Sequence, residues 1–500
     1  MKVFHSLLIT ALSCLSVAGA KPAAPAPYGP LPTQQQVDWL RMEWYAFVHF
    51  SLNTFTNKEW GYGDESAELF NPSQFNARDI VATFKEAGMT GMIYTAKHHD
   101  GWCAWPTSST SHSVSKSPWK NGKGDVVKEF ADACQAEGIK FGTYLSPWDR
   151  NCKEYGRSGY RKVYYKQIEE LLKNYGPIFE IWFDGANGGD GFYGGARENR
   201  NIGDADSYYD FPQIVKNIRR MQPDCIIWGA ARHGDAIWGG SEKGFVKYPL
   251  WNTQSGKWVS LEGDTPINHA GWFWHPGESD AKATDQGWFW HKGETMKSAA
   301  RLFQMYLETV GRNATLILNC PPDQYGVLPE NTVTELKKLG QMLHERLAVP
   351  VHGLDESTAA KDLAKTATIE VSETRTGGKY AATNLNDGDK ETYWATNDGN
   401  LTATITLSWD NPQTLRYLMM QEPIRLGQRI KDFRIEYSAD GTNWQELCPA
   451  LETTTVGYKR IIPLNGSTSD SYGDGYQAKK LRISILDSRA CPLLSNLSVY

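Results

Sequence analysis

The sequence predicts a (β/α)8-like barrel followed by an all-β sandwich domain. Two observations carry the barrel. From residue 45 to about residue 322, strand-like runs alternate with helical patterns, and strand starts recur at roughly 40- to 50-residue intervals. The runs are almost continuously apolar, as in a parallel sheet that is covered on both faces. A third observation carries the sandwich: after residue 364 the composition changes to short Thr/Ser/Asn-rich strands separated by turn sequences.

Six of the apolar runs are predicted barrel strands, at 45–51, 91–99, 140–147, 178–185, 225–231 and 314–322. Apolar residues at three- and four-residue steps predict helices at 79–88, 125–138, 161–176, 212–222, 298–311 and 329–347. This long alternation favours a barrel over a doubly wound sheet, and no Gly-rich phosphate-binding sequence follows the first strand. Two more barrel strands are hard to place between residues 232 and 297, where we expect long loops that contain short strands.

The chain divides into five predicted parts, which are a signal peptide at 1–20, a Pro/Ala-rich lead at 21–34, the barrel at 35–348, a linker at 349–364 and the sandwich at 365–500. Residues 1–20 combine a basic start, a short apolar run and a closing Ala-Gly-Ala, which predicts a secreted or periplasmic protein. Lipoprotein anchoring at Cys14 is the less favoured alternative, because Ala-Leu-Ser-Cys resembles a lipoprotein box only weakly. No later segment has the length and apolarity of a membrane span.

The composition indicates what the chain binds. The formal net charge is −5 and is spread without long runs, which argues against a nucleic-acid partner. The chain contains 19 Trp and 24 Tyr. Aromatic rings pack well against the C–H faces of sugars, but a large aromatic core explains the same numbers equally well.

Polar residues follow four consecutive predicted strands. His49 ends the first strand, His98 and His99 end the second, Tyr144 lies near the end of the third, and Asp184 ends the fourth. Glu59 and Trp60 lie in the loop after the first strand. Because the active site of such a barrel lies where strands end, we expect these side chains to share one site.

Two chemistries fit this set, metal-dependent hydrolysis and glycoside hydrolysis by a carboxylate pair. The histidines do not have the spacing of a zinc-binding motif, and adjacent side chains on a strand point to opposite faces. We therefore expect one of His98 and His99 to reach the ligand while the other packs or orients a neighbour. The sequence favours glycoside hydrolysis by a carboxylate pair, because three candidate carboxylates, Asp184, Glu242 and Glu278, lie in Gly/Trp-rich segments.

Five segments, in order, resemble glycoside hydrolase family 29, the retaining α-L-fucosidases: YAFVHFSLNTFTNKEWGYG, YTAKHHDGWCAWPT, GTYLSPWDR, EIWFDGANG and GRNATLILNCPPDQYGVLPE. The resemblance covers roughly residues 35–345. It implies that Asp184 is the nucleophile and forms a covalent fucosyl-enzyme without any cofactor. It also implies that the fucose pocket is lined by His49, Glu59, Trp60, His98, His99 and Tyr144.

The acid/base is less sharply identified. AIWGGSEKG resembles the W-x-G-N-E-x-G block of the branch that cleaves α-1,3/1,4-linked fucose, which implies Glu242, although Ser241 replaces the Asn of that block. The alternative is Glu278, in a segment that resembles the W-x-P-x-E-x-D block of the same branch. We favour Glu242 and expect Glu278 to support the site. Segment 271–292, in which GWFWH occurs twice, is expected to shape the leaving-group subsites.

The C-terminal segments LNDGDKETYWATN, RIKDFRIEYSADGTNWQEL and KKLRISILDS resemble the discoidin or factor 5/8 C-type module. Such modules often bind sugars, and the resemblance also implies a structural Ca²⁺ site, for which Asp387 and Asp389 lie in a suitable turn. Trp394 and Trp444 are expected to fill the core of the sandwich. The expected partners of the whole chain are fucosylated oligosaccharides or glycans. The alternative function is a carbohydrate-binding protein with an inactive barrel.

Overall fold

The computed structural model describes residues 23–254, 271–465 and 475–500. The predicted signal peptide and Cys14 lie outside these residues. In the described part of the chain, no helix has both the length and the apolarity to cross a membrane.

Eight parallel strands form the barrel. They are β1 (Trp44–Val48), β2 (Gly91–Lys97), β3 (Lys140–Leu145), β4 (Glu180–Trp182), β5 (Ile226–Trp228), β6 (Ile237–Trp238), β7 (Gly277–Lys282) and β8 (Thr315–Asn319). Their hydrogen-bonded order is β5-β4-β3-β2-β1-β8-β7-β6. A parallel bridge between Trp228 and Ala236 brings β5 beside β6 and closes the ring. The predicted barrel is confirmed.

Nine α-helices pack around this ring and extend from it. They are α1 (Gln34–Leu40), α2 (Leu52–Thr56), α3 (Ala77–Glu86), α4 (Val126–Glu137), α5 (Tyr160–Asn174), α6 (Ala205–Tyr209), α7 (Phe211–Met221), α8 (Ala299–Thr309) and α9 (Glu330–Leu347), all among the described residues. Helix α4 shows why they form. The side chain of Asp125 accepts a hydrogen bond from the Lys128 N–H at its start, and Gly138 ends it in the left-handed conformation at φ 72°. Its buried face includes Val127 and Phe130.

Residues 232–297 contain the two strands that the apolar pattern did not locate. Strand β6 has only two residues, and β7 reads Gly-Glu-Ser-Asp-Ala-Lys, without an apolar run. The two copies of GWFWH lie at opposite ends of the barrel. The first, at 271–275, precedes β7 and contributes to a short hairpin between Thr253–Gln254 and Phe273–Trp274, whereas the second, at 287–291, follows β7.

The C-terminal module is a β-sandwich, as predicted. Its strands are β9 (Thr368–Val371), β10 (Trp394–Ala395), β11 (Ala403–Leu415), β12 (Tyr417–Gln421), β13 (Ile430–Ser438), β14 (Gln445–Leu447), β15 (Arg460–Pro463), β16 (Tyr476–Ser488), β17 (Leu493–Leu494) and β18 (Asn496–Val499). A five-stranded sheet, β9-β11-β16-β13-β14, faces a three-stranded sheet, β15-β12-β18. Trp394 is fully buried between them. The expectation for Trp444 is wrong, because it lies at the surface just before β14, with the Arg482 guanidinium 4.0 Å from its ring centre.

Buried polar contacts join the module to the barrel. Lys459 pairs with the buried carboxylate of Glu43, which also accepts a hydrogen bond from the Tyr306 hydroxyl at 2.9 Å. The Tyr458 N–H donates to Asn313 Oδ1 at 2.8 Å, and Gln428 Nε2 donates to the Leu250 carbonyl at 2.9 Å. Since unpaired buried polar groups are costly, these bonds favour one relative placement of barrel and module.

Candidate active site

A cavity of about 750 Å³ opens at the carboxyl ends of the barrel strands. Seven of its lining residues are among those predicted from the sequence, namely His49, Trp60, His98, His99, Tyr144, Asp184 and Glu242. Trp182, which lies two residues before Asp184 on the same strand face, also lines the cavity, and aromatic side chains that the sequence did not single out complete much of the wall, including Phe47, Trp228, Trp238 and Trp288. An aromatic cavity with a few convergent polar groups suits a small polar ligand with apolar faces, such as a sugar.

Asp184 is held firmly although it lies beyond the last residue of β4. The Tyr144 hydroxyl donates to Asp184 Oδ2 at 2.9 Å, and the Ala186 N–H donates to Oδ1 at 2.7 Å. The side chain is 25% exposed toward the cavity. Both oxygens therefore have a fixed direction, as a nucleophile needs to attack one carbon atom.

The histidines present lone pairs to this carboxylate and to the cavity. Asn319 Nδ2 donates to the Trp288 carbonyl, so Asn319 Oδ1 accepts from His49 Nδ1 at 2.7 Å. In the same way, the Ser146 hydroxyl donates to the Trp148 carbonyl and accepts from His99 Nδ1 at 2.7 Å. With Nδ1 protonated in both rings, each Nε2 is an acceptor for a hydroxyl group, and His99 Nε2 lies 4.0 Å from Asp184 Oδ2.

Burial keeps these rings neutral. It lowers the pKa of His49 to about 3 and that of His99 to about 4, and it lowers the pKa of His98 well below its usual range. Neutral imidazoles suit hydroxyl groups better than cationic ones, because each ring then offers one donor and one acceptor.

The expectation that His98 and His99 face opposite sides is wrong. Both line the cavity, with ring centres 4.0 Å apart. The physical reason is that β2 ends at Lys97 and its register against β3 shifts after Thr95, so strand alternation does not extend to the two histidines.

Glu242 lies on a short segment that follows the edge of β7. The Gly239 N–H donates to the Glu278 carbonyl at 2.6 Å, and Lys243 forms an antiparallel bridge with Ala281. Glu242 is exposed and lines the same cavity as Asp184. Two carboxyl groups, as a retaining glycosidase requires, thus line one cavity.

Glu278, the alternative acid/base, is fully buried and does not line the cavity. Trp182 Nε1 donates to Glu278 Oε1 at 2.7 Å, and the Tyr45 hydroxyl lies between Glu278 and Glu180. Burial raises the pKa of both carboxyls, so the pair holds a proton at neutral pH. The geometry therefore gives Glu278 a place beneath the site rather than in it.

Glu59 is likewise absent from the cavity wall, contrary to the expectation of a direct sugar contact. Its carboxylate accepts hydrogen bonds from the N–H groups of Trp288 and Phe289, at 2.7 and 3.2 Å, and pairs with His291 Nε2 at 2.6 Å. It thereby fixes the second GWFWH copy, whose Trp288 does line the cavity. The first copy lies at the opposite end of the barrel, so the leaving-group prediction holds for neither Trp272 nor Phe273.

Asp280 is the site residue that sequence reasoning missed. On β7, Glu278 and Asp280 share a face, and Asp280 lies one layer nearer the cavity, which it lines. Its Oδ1 accepts a hydrogen bond from Trp238 Nε1 at 2.6 Å. The signal for Asp280 is the last residue of the W-x-P-x-E-x-D block, which lies two residues after Glu278 and therefore on the same face of β7.

The described residues contain no group of three or more His, Cys, Asp or Glu side chains arranged to hold a metal ion. In the C-terminal module, Asp387 accepts hydrogen bonds from the Asp389 N–H and the Thr392 hydroxyl, and Asp389 accepts one from the Glu391 N–H. These carboxylates stabilise their own turn.

Known proteins resemble this chain along most of its length. The family model for alpha-L-fucosidase matches residues 26–346, and that for the F5/8 type C domain matches residues 368–493. Alpha-L-fucosidase 1 of Arabidopsis thaliana is 33% identical over 501 residues, which cover 95% of this chain and 88% of the plant protein.

Two solved structures are similar to this chain in fold over nearly its whole length. A glycoside hydrolase 29 family member from an unknown rumen bacterium is 39% identical, with a TM-score of 0.80 over 95% of this chain and 78% of that one. A Ruminococcus gnavus GH29 fucosidase in complex with fucose is 29% identical, with a TM-score of 0.82 over 96% of this chain and 97% of that one.

Proposed function

This chain belongs to the α-L-fucosidase family, glycoside hydrolase family 29, and from that premise we propose which linkage it cleaves and which residues cleave it. It is a glycoside hydrolase that removes fucose with retention of configuration, the mechanism of its family. The proposed substrates are oligosaccharides or glycoconjugates that carry terminal α-1,3- or α-1,4-linked fucose.

The observation that carries the residue assignment is that Asp184 and Glu242 line one cavity, whereas Glu278 is buried below it. We assign Asp184 as nucleophile and Glu242 as acid/base. Asp184 attacks the anomeric carbon as its bond to the leaving oxygen breaks, and Glu242 gives its proton to that oxygen. The Glu242 carboxylate then takes a proton from water, whose oxygen displaces Asp184 and releases fucose with its original configuration.

The neutral histidines are the proposed hydroxyl ligands of fucose. The Nε2 atoms of His49 and His99 accept hydrogen bonds from sugar hydroxyls, while Trp60 and Trp288 cover the C–H faces of the sugar. Because these groups are uncharged, they favour a neutral deoxysugar over an anionic one.

The linkage proposal is supported by the contact between two segments. The block around Glu242 and the block around Glu278, which both resemble the α-1,3/1,4-specific branch, lie side by side through Gly239 and Lys243. The leaving group thus meets a wall built from both blocks.

A hydrolysis panel tests this linkage. Lewis-type trisaccharides should be cleaved much faster than α-1,2-fucosyl lactose, and NMR of the first product formed should show α-fucose. Preference for the α-1,2 linkage would overturn the linkage proposal, and β-fucose as first product would overturn the assignment of a nucleophile. Binding of fucose without turnover of a chromogenic fucoside would favour the alternative, an inactive carbohydrate-binding barrel.

For cellular location we propose export through residues 1–20, with cleavage after Ala20 rather than lipid attachment at Cys14. N-terminal sequencing of protein from the culture medium or periplasm tests this, and a start at Lys21 is expected. A lipid-modified Cys14 would contradict it.

For the C-terminal module we propose a role that does not require calcium. The turn of Asp387 and Asp389 fits a calcium site poorly, since its carboxylates already accept hydrogen bonds from their own turn. Unfolding of the whole protein should therefore occur at the same temperature with calcium and with a chelator. A rise in Tm on adding calcium would contradict this proposal and support the calcium site predicted at Asp387 and Asp389.

A further inference from the structure

The short segment that carries Glu242 depends on β7 for its position. Glu242 is exposed, and its neighbours in the chain include Gly239, Gly240 and Gly244, which do little to restrict the backbone. An acid/base must nevertheless stay within hydrogen-bonding reach of the glycosidic oxygen. Something outside the segment has to supply that restraint.

Three consecutive residues of β7 contact the segment at three points around Glu242. The Ser279 hydroxyl lies 3.4 Å from the Ser241 carbonyl oxygen and donates to it. Ala281 forms the backbone bridge with Lys243. Between them, the Asp280 carboxyl accepts the Trp238 indole N–H at 2.6 Å. Of the three contacts, only that of Asp280 is made between two side chains that both line the cavity.

We propose that Asp280 is a positioning residue for the acid/base, and that through Trp238 it holds the 238–243 segment so that Glu242 meets the leaving oxygen. The inference rests on the proposed role of Glu242. Asp280 is nearly buried, at 6% exposure, and it lies on a strand that pairs with β6 and β8, so it is a rigid anchor for the Gly-containing segment that carries the exposed Glu242.

The protonation of Asp280 agrees with this role. Burial raises its pKa to about 8, with Glu242 and Glu278 as the nearby carboxyls that raise it further. At neutral pH the group is uncharged, so it adds no like charge beside Glu242 when that residue acts as base. It also follows that asparagine is a close neutral substitute, because its amide oxygen can accept the same indole N–H.

The test compares Asp280→Ala, Asp280→Asn and Trp238→Phe at pH 7 on two substrates. One is a Lewis-type trisaccharide, whose sugar leaving group needs a proton from the acid. The other is 2-chloro-4-nitrophenyl α-L-fucoside, whose leaving group departs without one. Both are compared by kcat/KM, which reports the step in which the leaving group departs.

For Asp280→Ala and Trp238→Phe we expect kcat/KM on the trisaccharide to fall by about 10- to 100-fold, less than the 10²–10⁴ contributed by a general acid. On the aryl fucoside it should fall less than about threefold, a split that simple loss of structure would not produce. Asp280→Asn should stay within about threefold of wild type on both substrates. Equal losses on both substrates, or an Asn variant as impaired as the Ala variant, would overturn the proposal.

Two controls keep this outcome separate from the role of Glu242. Thermal unfolding of each variant shows whether it is folded, and Trp238→Phe still tests the contact if Asp280→Ala does not fold. Glu242→Ala with azide tests the acid/base by itself. If azide fails to restore its turnover of the aryl fucoside, the assignment of Glu242 fails, whatever the Asp280 variants do.

Discussion

Substitution of Glu278 by glutamine separates a structural carboxyl from a catalytic one. The Glu278 carboxyl serves Trp182 Nε1 and the Tyr45 hydroxyl, and neither donor reaches solvent. The glutamine oxygen can accept from Trp182 Nε1, and the Tyr45 hydroxyl can still donate to Glu180. The new NH2 group carries two donors, however, and the Tyr45 oxygen can accept only one of them, so one buried N–H lacks a partner. A buried unsatisfied donor costs about 1–3 kcal/mol, and we expect the free energy of unfolding to fall by that amount. Alanine leaves Trp182 Nε1 without its acceptor, while the Tyr45 hydroxyl still donates to Glu180 at 3.0 Å, so it should cost about 1–3 kcal/mol before any cavity cost.

Urea unfolding measures this loss, and azide rescue measures chemistry in the same variants. Glu278→Gln should unfold at lower urea concentration, and azide should produce no fucosyl azide. Glu242→Ala is the matched control, because its exposed side chain should change stability by less than about 0.5 kcal/mol while α-fucosyl azide accumulates, since azide attacks the fucosyl-enzyme from the face that water uses. The reasoning would be refuted if Glu278→Gln unfolded like wild type, lost activity by about 10²–10⁴-fold and formed α-fucosyl azide.

Three further predictions concern the groups around Asp184. Asp184→Asn should abolish turnover while calorimetry still detects fucose binding, and near-normal activity would exclude Asp184 as nucleophile. Tyr144→Phe removes a hydrogen bond to a charged carboxylate, worth about 1.5–3 kcal/mol, so kcat/KM should fall by about 10- to 150-fold; an unchanged rate would contradict this. The folded pKa of His49 is about 3, below its unfolded value of about 6.5, so its contribution to stability is present above pH 6.5 and is lost as pH falls. Between pH 6.5 and 4.5, wild type should lose about 1.4 kcal/mol per pH unit more than His49→Asn in urea unfolding, and parallel slopes would refute the burial of a neutral ring.

Most barrel strands could be predicted because a strand that is buried on both faces appears in the sequence as a nearly continuous apolar run. Strands such as β2, which reads Gly-Met-Ile-Tyr-Thr-Ala-Lys, are buried throughout and therefore almost wholly apolar. Strand β7 is equally buried but holds Glu278, Ser279 and Asp280, whose polar groups are satisfied inside the protein. A hydrophobic pattern does not identify such a strand, because the hydrogen-bond partners that make its polar side chains suitable for burial come from distant parts of the chain.

The same limit explains which part of the site was missed. Apolar runs mark the strands that precede His49, His98 and Asp184, so the sequence predicts these polar residues at strand ends. Asp280 lies inside a strand that had not been located, and its alternation with Glu278 had no meaning without that strand. Glu59 shows the converse, since a loop residue near the site in sequence contacts the backbone of another loop rather than the cavity.

The polar layer beneath the site explains why the barrel keeps costly buried carboxyls. Along β4, Glu180 and Trp182 lie at two-residue spacing toward the interior and Asp184 follows two residues after the strand, while Glu278 and Asp280 have the same spacing along β7. The Glu278 carboxyl fixes the Trp182 indole, which stacks on Trp228 with ring centres 3.6 Å apart, and both rings line the cavity. Replacing both partners of a buried hydrogen bond, such as Glu278 and Trp182, by apolar groups of the same shape can be nearly neutral or stabilising, so stability alone does not account for this bond. The hydrogen bond from Trp182 to Glu278 instead fixes the orientation of the aromatic side chains that line the cavity. Fixed lining residues hold the sugar in one position relative to the nucleophile and the acid, as catalysis requires.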